Sequence, residues 1–133
     1  MKVVPDPTNQ DFDQLLSFQR TLCVPGFEPV LEWRGGRQPD GSIQLPYPQY
    51  HPRVDEFIRA ASQECWRDYD YVENIKSFRP EPKLIPSANL PQLRTLLTYV
   101  VRGERFADGH WGTMIMEGIV CSVLARLAEV KPA

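Results

Sequence analysis

The stretch Arg102-Gly-Glu-Arg-Phe-Ala-Asp-Gly-His-Trp-Gly-Thr-Met-Ile-Met-Glu-Gly118 decides how this chain is read, because it divides two strongly apolar helical segments. Upstream, Leu93, Leu96, Leu97, Val100 and Val101 recur at helical spacing. Asn89 is placed to cap that helix and Pro91 falls within its first turn. Gly103 then reads as a C-terminal glycine stop, just after Arg102. Downstream, Ile119, Val120, Val123, Leu124 and Leu127 repeat at the same period, predicting a closing helix to about Glu129. The quoted stretch is therefore a joint between two core helices.

Working back toward the N-terminus, Phe12, Leu15, Leu16 and Leu22 predict a first helix, capped by Thr8 or Asn9, running to about Thr21 and halted by Pro25-Gly26. Val30 to Trp33 reads as a short strand, Gly35 to Gly41 as a turn and Ser42 to Leu45 as the return strand of a hairpin. The glycines of that turn lack the lysine and serine of a phosphate-binding loop and lead into no helix. Pro46-Tyr-Pro-Gln-Tyr-His-Pro52 predicts an extended path that could present Tyr47 and Tyr50 to a partner; the favoured reading lays both rings on the core.

Pro52 suits the first turn of a helix whose apolar face is Val54, Phe57, Ile58, Ala61 and Cys65. Asp68 and Asp70 favour a break between Asp68 and Tyr71, and three prolines make Phe78 to Pro86 a connecting loop. The expected architecture is one mainly α-helical domain over residues 1–133, of four or five helices, with a small β-hairpin inserted after the first.

Composition narrows the function. The chain has 42% hydrophobic and 24% charged residues, ordinary globular values, and needs no cofactor to build a core. Its net charge of −2 is spread along the chain, so no basic face is offered to nucleic acid. No apolar run is long enough to span a bilayer, and the start Met1-Lys-Val-Val-Pro-Asp-Pro7 lacks the apolar run of a signal peptide. Cys23, Cys65 and Cys121 are odd in number, widely spaced and set among apolar residues, which suggests buried free thiols in a reducing cytoplasm.

Candidate chemistry concentrates in the joint. Arg102 and Arg105 could fork around a carboxylate or phosphate, Glu104 or His110 could carry a proton, and Trp111 could stack on a ligand. Each also has a structural use: Arg102 complements a helix C-terminus, Glu104 pairs with either arginine, and Asp108 caps a short helix carrying His110, Trp111 and Ile115. Glu117 lies at the far end of that helix, Gly118 closes it, and Phe106 and Trp111 anchor the turn in the core.

His51, His110 and the cysteines show no zinc spacing, no serine sits in a nucleophile elbow, and Cys121 lies on an apolar face that raises a thiol pKa. A non-catalytic binding or interaction module using residues 102–111 is the leading expectation, with a small anionic ligand or a protein as partner. A small hydrolase or transferase acting on an anionic metabolite is the alternative. A third is a homodimer paired through Ile119, Val123 and Leu127.

The run Leu96 to Trp111, followed by Glu117-Gly-Ile119 and Leu124-Ala-Arg-Leu127, resembles an uncharacterised bacterial domain family with an R-G-E-R-F-x-x-G signature and a leucine-rich closing helix. The likeness extends upstream through Asp40-Gly41, Pro46-Tyr-Pro48, Val54-Asp-Glu-Phe57 and Asp70-Tyr71. Members often carry cysteine where this chain has Ala107, so any thiol role there would not apply here. The resemblance implies a bacterial source and no particular activity.

Overall fold

Helix α5, Leu90–Gly103, packs along the closing helix α7, Ile119–Val130, in a computed structural model describing residues 3–132, and the other helices pack on one or both of them. Asn89 caps α5 with a reciprocal pair of bonds to Gln92, and Pro91 occupies the first turn. Leu93, Leu96, Leu97 and Val100 are at most 1% exposed. Each such burial contributes about 1.5–3 kcal/mol.

Before it run α1 (Asn9–Leu16), the single turn α2 (Gln19–Leu22), the strands β1 (Val30–Arg37) and β2 (Ile43–Tyr50), α3 (Pro52–Ala61) and the short α4 (Tyr71–Asn74). After it come α6 (His110–Met116) and α7 (Ile119–Val130). The domain is mainly helical, with an antiparallel hairpin between helices, as the sequence predicts. Met1, Lys2 and Ala133, and with them the beginning of the N-terminal segment considered above, lie outside the described residues. Among the described residues no helix is long and apolar enough to cross a membrane.

Several local expectations are corrected. The first helix does not run unbroken to Thr21: Thr8 and Asp11 form its capping box, but it stops at Leu16 and turns at Ser17 before α2. The turn lets Phe18 enter the core edge-on to Phe57, 5.5 Å between ring centroids.

The α3 helix ends at Ala61, and Cys65 and Trp66 follow in a 3-10 turn, still buried. The break around Asp68 is held by its carboxylate, which accepts from Asp70 N, Asn74 Nδ2 and Thr95 Oγ1. Burial alone would raise the pKa of that carboxyl; the bonds from Thr95, Asn74 and Asp70 outweigh it and leave the value lowered.

The cysteine expectation holds for one residue of three. Cys65 is a free, buried thiol, pushed up to about 11 by burial and then by Asp11. Cys23 and Cys121 are not free: they form a disulfide across 98 residues, because α2 packs on α7 and brings their backbones together. The apolar face of α7 is also spent internally, with Ile119, Val123 and Leu127 buried in the core and therefore unavailable to a second copy.

The hairpin is longer than the sequence suggested. Gly35 and Gly36 belong to β1 and not to the turn, which is made by Gln38 to Gly41, with Asp40 accepting from the backbone and hydroxyl of Ser42. Gly35 is required where the ladder slips. Its φ is 97°, and a Cβ there would stand 2.6 Å from the Leu45 carbonyl oxygen. The Pro46 to Tyr50 segment is the second half of β2. Only Tyr50 is laid on the core, while Tyr47 remains 45% exposed.

Candidate functional site

Glu104, the first residue beyond α5, is the hub of the predicted site. One carboxylate oxygen accepts from the Tyr50 hydroxyl at 2.8 Å and from Trp111 N at 2.9 Å; the other accepts from Gly109 N at 2.7 Å. Gly109 and Trp111 are the cap and second residues of α6, whose amides have no partner within the helix. Glu104 therefore caps α6 from the end of α5, with its charge set favourably at a helix N-terminus. Gly109, at φ 91°, occupies the cap position itself, so Asp108 does not cap the helix and stands exposed. The expected pairing of Glu104 with Arg102 or Arg105 is absent among the described ion pairs, because its lone pairs are directed at backbone.

Tyr50 completes the hub from the hairpin. Its hydroxyl also accepts from Gly112 N at 3.3 Å, and its ring lies 5.2 Å from that of Trp111. Burial first, and then the bond to Glu104, raise the phenol far above its usual range, keeping it a donor. Trp111 is partly buried, with Nε1 donating to Val101 O at 3.1 Å. Phe106 does not anchor the turn in the core as predicted: the helical turn after Gly103 directs it outward, where it is 80% exposed.

His110 packs edge-on to Tyr99, 5.0 Å between rings, and its Nε2 lies 3.2 Å from Tyr99 O, a contact that requires the proton on Nε2. Burial lowers its pKa, opposed by Tyr99, Glu104 and Glu117. This ring also explains Gly103. The residue is not a left-handed stop but the last residue of α5, and a Cβ there would collide with His110 Nε2. Gly118 does close α6, at φ 83°. Arg102 is partly exposed and Arg105 exposed, and neither has an ion-pair partner among the described residues.

Beside the hub lies an open groove of about 700 Å³ between the hairpin and the α5–α6 corner. Glu104, Asp108 and Trp111 line it from the predicted stretch; Arg34, Tyr47, Tyr50 and Asp55 line it from elsewhere. Arg34 is held to Glu32 at 2.8 Å and to Gln49 at 2.6 Å. Arg102, Arg105 and His110 do not line this groove. Sequence reasoning missed Tyr50 as a polar partner and missed Asp55 and Arg34 altogether. The only signal was the aromatic and proline run before α3. Among the described residues no group of three or more His, Cys, Asp or Glu could hold a metal ion.

A family model described as a family of unknown function, DUF6508, matches residues 7–133. No curated protein and no solved structure matches the chain.

Proposed function

We propose that this chain, which belongs to that family of unknown function, is a non-catalytic binding module whose groove receives a basic side chain of a protein partner. The observation that carries this reading is the division of labour around Glu104. Both acid–base candidates are committed to structure, Glu104 by its three donors and His110 by Tyr99 O, whereas the groove beside them stays open. The exposed carboxylates of Asp55 and Asp108 line the groove together with Tyr47 and Trp111. Carboxylates beside aromatic faces suit an ammonium or guanidinium group. A hydrolase or transferase would need Glu104 or His110 to exchange protons with a substrate, and the bonds that each already makes favour the binding reading over that one. The reducing cytoplasm suggested by the cysteines gains no support from the Cys23–Cys121 disulfide.

A second reading, a small anionic ligand held by Arg102 and Arg105, is favoured by the absence of ion-pair partners for both among the described residues. One titration separates the two. With the chain labelled with nitrogen-15, tetra-arginine should shift the Trp111 indole and Tyr50 amide resonances, and inorganic phosphate should leave them unmoved. Shifts at Arg102 and Arg105 with phosphate, and none with tetra-arginine, would replace the first reading by the second.

A further inference from the structure

The hairpin has more exposed apolar surface than its own domain covers. Its ties to the body lie near its base: His51 N donates to Pro29 O at 2.8 Å, Tyr50 joins the Glu104 hub, and the Trp33 ring lies over Gly109. Leu31 and Trp33 are nonetheless more than half exposed, and Ile43 and Leu45 are 75% and 84% exposed. A two-stranded ribbon alone is marginal in water and is stabilised by further strands.

Its two edges are not equivalent. No third strand pairs with either among the described residues. The β2 edge contains Pro46 and Pro48, which have no N–H to donate and so blunt it against another strand. The β1 edge, Val-Leu-Glu-Trp-Arg-Gly-Gly-Arg, has no proline, and between the irregularities of its ladder at Leu31 and Gly35 the regular stretch Glu32, Trp33 and Arg34 is exposed. Its charge pattern is also self-complementary. Glu32 and Arg34 lie on one face, 2.8 Å apart, on either side of Trp33. Two β1 strands run antiparallel about a two-fold axis at Trp33 place each Glu32 opposite an Arg34 of the other copy, and the two Trp33 side by side. Registers that centre on Glu32 or Arg34 instead oppose like charges, which is unfavourable.

We infer that a second copy of this chain pairs with the β1 edge, converting two hairpins into a four-stranded antiparallel sheet centred on Trp33. A strand edge alone makes a small interface, below about 1,200 Å² in total, so the association is of the weak, concentration-dependent class. It shares Arg34 with the groove at Asp55 and Asp108 but requires no ligand there, so it stands whether or not that groove binds a basic side chain.

Sedimentation equilibrium tests it. At low ionic strength the wild-type mass should rise from 15.3 kDa toward twice that value as concentration approaches the millimolar range. Glu32→Arg and Arg34→Glu, both at exposed sites and checked for folding by circular dichroism, should each remain monomeric. Mixed in equal amounts they should associate, because each supplies the charge the other lacks. Should either fail to fold, a Trp33→Cys variant serves: its new thiol meets its own mate across the axis, and mild oxidation should yield a covalent dimer. A wild-type chain monomeric throughout, single variants that still dimerise, a mixture that does not associate, or a Trp33→Cys chain that stays monomeric on oxidation would overturn the inference.

Discussion

The Tyr50 hydroxyl donates to Glu104 at 2.8 Å, joining the end of the hairpin to the corner between α5 and α6 across 54 residues. The same carboxylate holds the first amides of α6, so one acidic side chain fixes three elements at once. Tyr50→Phe keeps the ring against Trp111 but removes this bond and leaves Gly112 N without its acceptor. It should destabilise the fold by about 1–3 kcal/mol in urea denaturation. Glu104→Gln should cost more, because charge-assisted bonds to two amides are weakened. A double-mutant cycle should return a coupling above about 0.5 kcal/mol; independent effects would mean that the hub is not cooperative.

Gly103→Ala gives a prediction of sign. In an ordinary helix interior this change stabilises by about 0.5–1 kcal/mol. Here the new methyl group would meet the His110 ring, so the variant should lose about 1–3 kcal/mol instead. Combining it with His110→Ala should recover part of that loss, measured as the melting temperature of the double variant against His110→Ala alone.

His110 should make stability depend on pH. Its folded pKa lies below the usual value of about 6.5 because the ring is buried. Above about pH 6.5 both folded and unfolded rings are neutral, and the full stability is present. As pH falls below that value the unfolded chain takes up the proton more readily, and stability drops until the folded pKa is passed. His110→Gln retains a donor for Tyr99 O and removes the titration. Its denaturation midpoints at about pH 7.5 and pH 5.5 should differ less than those of the wild type.

The Cys23–Cys121 link closes a long loop, with a sequence separation of 98. Reductant, or Cys121→Ser, should lower stability by about 2–4 kcal/mol. Reductant should have no further effect on the Cys121→Ser chain; a second drop would place the reducible bond elsewhere.

Arg105→Ala separates ligand binding from architecture. The side chain is exposed and has no ion-pair partner among the described residues, so the melting temperature should stay within the range of a change of about 0.5 kcal/mol. A larger loss would assign Arg105 to the joint, and weaker retention of phosphate by the variant would favour the anionic reading.

The sequence by itself determined the elements whose cause is local. Apolar residues at helical spacing, the Asn89 and Thr8 caps, Pro52 and Pro91 in first turns, and the closing glycine at 118 each act within a few residues of themselves. Periodicity therefore sufficed for the long helices, though not for the break at Ser17 or the short α2 and α4, and turn residues marked a hairpin between them. What only the tertiary structure decided involves partners brought together by the packing of separate elements: Glu104 with Tyr50, Gly103 with His110, Cys23 with Cys121. Glu104 looked like a partner for its neighbouring arginines because adjacent opposite charges attract. In the folded chain it meets the unpaired amides of α6, since leaving buried backbone donors without an acceptor costs more than leaving exposed arginines in water. Gly103 looked like a stop because helix-ending glycines usually supply a left-handed turn, but its missing side chain serves a ring seven residues away. The polar residues of the joint were visible in sequence; which of them remain free to act depended on which backbone groups the fold left unsatisfied.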